Sequence, residues 1–108
     1  MKKVTIQPGI CGLITSVTAE KKARKEVQVT VKSACQHIHK FNEIMGDTFN
    51  PYDVCLTKIS EGPFYEYAKN NMPPHASCPF LSGLIKCMEV ECGLALPKDA
   101  YIKFEEEE

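Results

Sequence analysis

The chain has 108 residues, enough for one domain with a single core and too few for two. Hydrophobic residues make up 44% of it and charged residues 25%, which is the balance of a globular protein and excludes a disordered or fibrous chain. The net charge of −1 supplies no positive field, so we expect neither nucleic acid nor a membrane surface as a partner.

The six cysteines are the most informative part of the composition. No apolar run approaches the ~20 residues that a membrane helix needs, and the first twelve residues lack the apolar centre of a signal peptide. We therefore expect a cytoplasmic protein. In a reducing compartment, abundant cysteine indicates metal or thiol chemistry more than structural disulfides.

The first third of the chain has the pattern of β-strands. Val4–Ile6 is a short apolar run, and residues 13–19 are rich in β-branched side chains. Residues 26–33, EVQVTVKS, alternate strictly between apolar and polar. The two longer runs predict a β-hairpin whose tip is the charged stretch 21–25.

Helical spacing follows the third strand. Apolar residues three and four positions apart predict a helix over residues 34–45, with Ser33 as its N-cap. Three more helices are predicted, and capping or proline signals place their starts near Asn50, Gly62 and Cys78. The stretch AYIKF, Ala100–Phe104, alternates again and predicts a final strand.

This order of elements predicts an α+β fold. We expect a mostly antiparallel sheet of three or four strands with three or four helices packed on one face. Three strands come first along the chain, the helices follow, and one strand ends it. Residues 1–104 are predicted to form a single domain, and residues 105–108, the acidic run EEEE, a disordered tail.

Three cysteines stand at the starts of predicted elements. Cys11 lies in the glycine-bracketed turn PGICG, Cys35 in the first turn of a helix, and Cys78 directly before Pro79 at another helix start. A helix N-terminus favours thiolate over thiol, and flanking glycines let backbone N–H groups approach a sulfur or an anion. The alternative for each cysteine is a small side chain packed into a turn or an element end.

Histidine adds one candidate ligand. His39 follows Cys35 by four positions, so both would share a helical face, and this spacing is compatible with tetrahedral zinc. The alternative is a solvent-facing side chain on a polar surface. His37 and His75 are weaker candidates. There is no Cys-x-x-Cys motif, so the ligands would have to converge through the fold.

The remaining cysteines have the setting of core residues. Cys55 lies between Val54 and Leu56, and Cys92 shares a helical face with Leu84. Cys87 lies near the edge of the same face. We expect these three thiols to pack inside the protein.

Several segments resemble a family of small uncharacterised cysteine-containing proteins found mainly in anaerobic bacteria and archaea. They are PGICG, VQVTVKSACQHIHKF and SCPFLSGLIKCMEVECGLALPKDAYIKF, which together cover nearly the whole chain. The resemblance implies that the cysteines at Cys11, Cys35 and Cys78 recur, and it implies an anaerobic host. The family pattern has proline after the second cysteine, where this chain has Gln36. The resemblance implies no reaction.

Three hypotheses follow from these residues. The first is a small cytoplasmic protein that binds zinc or an iron–sulfur cluster through Cys11, Cys35 and Cys78. Its fourth position is open or is filled by water, His39 or another thiol. The second is a thiol-dependent enzyme or redox carrier, for which no acid–base partner beyond the histidines is apparent. The third is a protein-interaction module with structural cysteines, whose partner is another protein or a second copy.

Overall fold

The computed structural model describes residues 1–106, in which three strands come first and the helices follow, with one short strand among them. They are, in chain order, β1 (Lys2–Ile6), β2 (Thr15–Ala23), β3 (Glu26–Ser33), α1 (Gln36–His39), α2 (Phe41–Met45), β4 (Thr48–Phe49), α3 (Pro51–Cys55), α4 (Pro63–Asn71) and α5 (Phe80–Glu91). The sheet has the order β1-β2-β3-β4, and every neighbouring pair is antiparallel. The predicted α+β fold is therefore confirmed. Residues 107 and 108, the end of the predicted acidic tail, lie outside the described residues.

The central hairpin follows from the alternation in the sequence. Val17 pairs with Val31 and Ala19 with Val29, and all four side chains are buried on one face. β2 continues to Ala23, beyond the predicted end, because an irregular register between Lys21 and Ala23 keeps the two strands paired. The turn itself is only Arg24 and Lys25.

One edge of the sheet is covered by the segment that follows α2. β4 pairs with Val27 and Gln28, and the Val29 N–H donates to the Asp47 carbonyl at 2.7 Å. Beyond β4, the side-chain amide of Asn42 makes the hydrogen bonds that a neighbouring strand would make to β3. Its Oδ1 accepts from the Val31 N–H at 2.7 Å, and its Nδ2 donates to the Val29 carbonyl at 2.9 Å. The opposite edge is β1, which among residues 1–106 pairs with β2 alone.

The first predicted helix is divided. α1 ends at His39 and α2 begins at Phe41, and Ser33 remains in β3 instead of capping a helix. Ser33 instead pairs with Thr15 in the hairpin, and the hydroxyl groups of the two residues lie 2.7 Å apart. Within residues 1–106 every helix falls short, in length or in apolar character, of what a bilayer crossing requires.

The predicted final strand over Ala100–Phe104 is wrong. These residues form no strand, and the fourth strand of the sheet is Thr48–Phe49. An alternating pattern gives a segment the capacity to pair, but a strand also needs a partner, and within residues 1–106 this segment pairs with none. Tyr101, Ile102 and Phe104 are instead 82%, 91% and 95% exposed.

The core is built around one aromatic ring. Phe41 lies at 5.1–6.0 Å, centroid to centroid, from four other rings, and three of these contacts are edge-to-face. The four rings come from β4, α4 and α5, and they are Phe49, Phe64, Tyr67 and Phe80. Such contacts add stability beyond the area that they bury. Phe41 thus joins the helices to the sheet.

Helix α5 packs against β1 at Gly83, a residue of the helix that has no side chain. A Cβ atom on Gly83 would contact Ile6 Cδ1 and come within 2.5 Å of Ile6 Cγ1. Because real Cβ atoms do not approach other heavy atoms so closely, a glycine is required for the helix to pack at this distance. The far end of α5 is held by Glu91, whose Oε2 accepts from the Lys21 N–H at 2.8 Å.

We predict that Gly83→Ala destabilises the protein. Overpacking of this kind costs about 1–3 kcal/mol, and the higher helix propensity of alanine offsets roughly 1 kcal/mol of it. Urea unfolding of Gly83→Ala, Ile6→Ala and the double variant measures the coupling. In the Ile6→Ala background the clash is absent, so alanine at position 83 should be neutral or stabilising. An equal cost in both backgrounds would contradict the proposed contact.

We also predict that Glu91 makes the stability depend on pH. The hydrogen bond from the Lys21 N–H, together with the Met1 amino group at 3.3 Å, lowers the pKa of Glu91 from its ordinary 4.5. A carboxyl whose folded-state pKa is lowered stabilises the fold above pH 4.5, and that contribution is lost as the pH falls through the folded-state value.

Urea unfolding of Glu91→Gln between pH 3 and pH 7 tests this dependence. The variant should lose about 1 kcal/mol at pH 7 and show a flatter pH profile than the parent protein. Glu20→Gln is the matched control, because Glu20 forms an exposed ion pair with Lys22 that contributes little. A Glu91→Gln profile parallel to that of the parent protein would refute the assignment.

Candidate functional site

Cys11 lies at the third position of a tight turn between β1 and β2. The Gly12 N–H donates to the Gly9 carbonyl at 3.0 Å, and both glycines have a positive φ, 105° and 67°. Side chains other than glycine are strained in that region, so the two glycines are what allow this turn. The Cys11 thiol is exposed at its tip.

Cys35 lies between the end of β3 and the start of α1. It is the N-cap residue of α1, with an extended backbone, and its N–H donates to Ser33 Oγ at 3.0 Å. α1 has only four residues, so the predicted setting in the first turn of a long helix is absent. The Tyr67 hydroxyl donates to the His37 carbonyl at 2.5 Å, which ties α4 to α1 beside this cysteine.

The pKa of Tyr67 is raised above its ordinary value. Burial of the phenol raises this pKa, and the charge of the Cys35 thiolate raises it further. Both effects disfavour a second negative charge at the Tyr67 oxygen. Tyr67 therefore remains a hydrogen-bond donor next to Cys35 at neutral pH.

Cys78 and His75 are the two ends of one turn. The Cys78 N–H donates to the His75 carbonyl at 3.3 Å, and α5 begins two residues later at Phe80, with Pro79 as its N-cap. The turn lies in the segment that connects α4 to α5. It brings an imidazole and a thiol to the same place at the entrance of α5.

These three segments enclose one cavity of about 190 Å³. Cys11, Cys35 and Cys78 all line it, as do His37 and His75, and Met72 adds a thioether. The rest of the wall is mostly apolar and includes Ile6, Ile38 and Phe80. Residues 67 positions apart in the sequence thus meet in one pocket, which we call the thiol pocket.

His39 lies apart from these residues. Its side chain is exposed and does not line the thiol pocket, whereas His37 and His75 do. The predicted sharing of a helical face by Cys35 and His39 does not occur because Cys35 precedes α1, and its extended backbone turns its side chain away from the helical repeat. The structure therefore brings together three of the four predicted ligands.

The pocket has no preformed metal geometry. Among residues 1–106, no three histidine, cysteine, aspartate or glutamate side chains are arranged so as to hold a metal ion. The donors nevertheless have one character, since thiol, thioether and imidazole groups are the ones that suit zinc, copper(I) and iron–sulfur clusters. Among the described residues, no carboxylate side chain of the kind that binds magnesium or calcium lines this cavity.

The other three thiols have structural surroundings. Cys87 is buried, and its Sγ lies 3.4 Å from the Lys2 carbonyl and 3.7 Å from the Val17 carbonyl. Burial raises the pKa of Cys55 to about 12, and the charges of Glu89 and Cys92 contribute to the rise. Burial raises the pKa of Cys92 as well. These thiols are protonated at neutral pH and are poor ligands and nucleophiles.

Residues 2–104 match a protein family described as a family of unknown function (DUF6951). The chain belongs to DUF6951. This match confirms the resemblance drawn from the cysteine-containing segments, while the anaerobic host stays an expectation. A search of curated proteins and a search of solved structures each found no match.

The sequence alone indicates only part of the site of this DUF6951 protein. Cys11, Cys35 and Cys78 are found by their places at element starts, and His75 by its spacing of three residues from Cys78 in a turn-forming stretch, PPHASC. Met72 has no local signal. Met72 lines the pocket because it is the residue at which α4 ends, and the position of that helix end depends on how the helix packs.

We predict that the six thiols differ in their rates of alkylation. With iodoacetamide at pH 7, Cys11 should be labelled first, because it is exposed. Cys55 should react at least about 100-fold more slowly, since its high pKa leaves little thiolate. Mass spectrometry of timed samples measures each site, and protein unfolded in urea is the control in which all six should react alike. Native labelling of Cys55 as fast as Cys11 would contradict the assignment.

Proposed function

We propose that this DUF6951 protein binds a soft metal centre, either zinc or an iron–sulfur cluster, in the thiol pocket. The observation that carries the proposal is that three cysteines distant in sequence line one cavity. Of the six cysteines, the three predicted to be ligands are the three in this pocket, and the other three lie elsewhere.

The remaining donors of the pocket supply candidates for a fourth ligand. His37, His75 and Met72 line the same cavity, so they take the place proposed from the sequence for His39. Three thiolates with one imidazole form a common zinc site. Three thiolates with one weaker or exchangeable ligand would suit a labile cluster.

Binding requires the turn that carries Cys11 to move toward the other two thiols. Cys35 and Cys78 are held by well-packed neighbours, Tyr67 and Phe80, which both contact Phe41. Cys11 instead lies in a loop whose side chains at Ile10, Leu13 and Ile14 are exposed. Closing such a loop costs little packing energy, and the metal–thiolate bonds would stabilise the closed form.

A thiol-dependent function is the second candidate, and the same pocket favours it. Two imidazoles line a cavity that holds three free thiols, so a thiol could pass its proton to a histidine. With a small-molecule disulfide as oxidant, two pocket thiols would form one protein disulfide and release two small thiols. Metal binding would protect the pocket thiols from this reaction, so the two candidates predict opposite reactivities.

Metal analysis of anaerobically purified protein tests the first proposal. We expect about one zinc per chain, or iron with matching sulfide and a visible absorption band. Titration of the metal-free protein with Co²⁺ should give the charge-transfer absorption of thiolate ligands. Single changes of Cys11, Cys35 or Cys78 to serine should weaken binding by more than about ten-fold, since even changes to groups behind the ligands cost this much.

Two matched controls make the test specific. Cys92→Ser removes a thiol outside the pocket and should leave the affinity unchanged. His39→Ala should likewise have no effect, whereas His37→Ala or His75→Ala should weaken binding. Colourless, metal-free protein whose Cys11, Cys35 and Cys78 alkylate equally fast with and without added metal would reject the metal proposal. Rapid disulfide formation between pocket thiols in the same protein would then support the second candidate.

A further inference from the structure

The segment 101–106, YIKFEE, has the composition of a strand but no neighbour. Tyr101, Ile102 and Phe104 are each more than four-fifths exposed, and residues 101–106 have no regular secondary structure. Large apolar side chains clustered in this way in solution are a common mark of an interaction surface. The alternation of apolar and polar residues fits a strand with one apolar face.

The sheet offers one free edge for such a strand. The β3 edge is covered by β4, by the Asp47 carbonyl and by the side chain of Asn42. β1 pairs with β2 alone among residues 1–106, so its other side presents unpaired backbone groups. Of its five residues, Ile6 is buried and Val4 half-buried, while Lys2, Lys3 and Thr5 are exposed.

One antiparallel register matches the two segments in both apolar character and charge. It places Ile102 opposite Ile6 and Phe104 opposite Val4, on the same face of the strand. It also places Glu105 opposite Lys3 and Glu106 opposite Lys2. A shift by one residue would put the apolar side chains on the other face and remove this match.

We propose that segment 101–106 of one molecule adds as a fifth strand to the β1 edge of a second copy. The exchange is mutual, so each copy gives one strand and receives one, as a two-fold symmetric dimer requires. The proposal concerns the sheet edge and is independent of metal binding in the thiol pocket.

The direction of α5 favours a second copy over the same molecule. Glu91, at the end of α5, is bonded to the Lys21 N–H and the Met1 amino group, so the chain leaves the helix beside the Lys2 end of β1. An antiparallel strand in this register must enter at the Ile6 end. The chain would have to run back along the whole of β1 before pairing with it, whereas a neighbouring copy imposes no such path.

Light scattering and sedimentation equilibrium on the full chain test the proposal, with chelator and reductant present so that neither metal nor disulfide joins the copies. We expect a dimer whose fraction rises with concentration. The double variants Lys2→Glu/Lys3→Glu and Glu105→Lys/Glu106→Lys each place like charges opposite each other. Each variant should raise the dimer dissociation constant by about ten-fold or more.

Mixing the two variants separates exchange between copies from pairing within one chain. The acidic tail of the first variant then meets the basic β1 of the second, and the basic tail of the second meets the acidic β1 of the first. We expect a heterodimer of near-parental affinity. A parent protein that stays monomeric over an about 100-fold range of concentration, a dimer unaffected by either variant, or a mixture that stays monomeric would each overturn the proposal.

Discussion

The aromatic contacts of Phe41 hold the helices and the sheet of this fold together. The ring sits where α2, β4, α4 and α5 meet, and it touches one aromatic side chain from β4, two from α4 and one from α5. Two of these neighbours also shape the thiol pocket, since Phe80 lines its wall and Tyr67 bonds the His37 carbonyl beside Cys35. The position of Cys35 and Cys78 relative to each other therefore follows from the packing of the core, and a change at Phe41 would reach the pocket without touching it.

The pocket combines two fixed thiols with one on a loop. Cys35 and Cys78 are attached to packed elements, whereas Cys11 is at the tip of a two-glycine turn. In the metal site that we propose, the two fixed cysteines and their apolar surroundings would determine which ligands fit, and the loop would bring the third cysteine to the metal. The repulsion among three thiolates would then arise only when a cation is present to compensate it.

The sequence specified the strands and most helices because their signals are local. The alternation of Val27, Val29 and Val31 needs no tertiary information, and neither does the Asn50 cap, whose side chain accepts from the Tyr52 N–H as expected. Errors arose where a distant partner decided the outcome. Thr15 pairs with Ser33, so Ser33 stays in the sheet and caps no helix, and Thr48–Phe49 supplies the fourth strand instead of Ala100–Phe104. In the candidate site, the cysteines at element ends can be recognised in the sequence. That His37 lines the pocket and His39 does not depends on where the four-residue helix α1 begins and ends, which no local pattern encodes.

Asn42 has a consequence that reaches beyond the single molecule. Its amide bonds the backbone at Val29 and Val31 with the geometry of a missing strand, and so it blocks that margin to any further chain. Growth by backbone pairing is thereby limited to one side of the sheet. A sheet that can accept a strand along one edge alone cannot grow at both edges, and Asn42, together with β4 and the Asp47 carbonyl, closes the other edge.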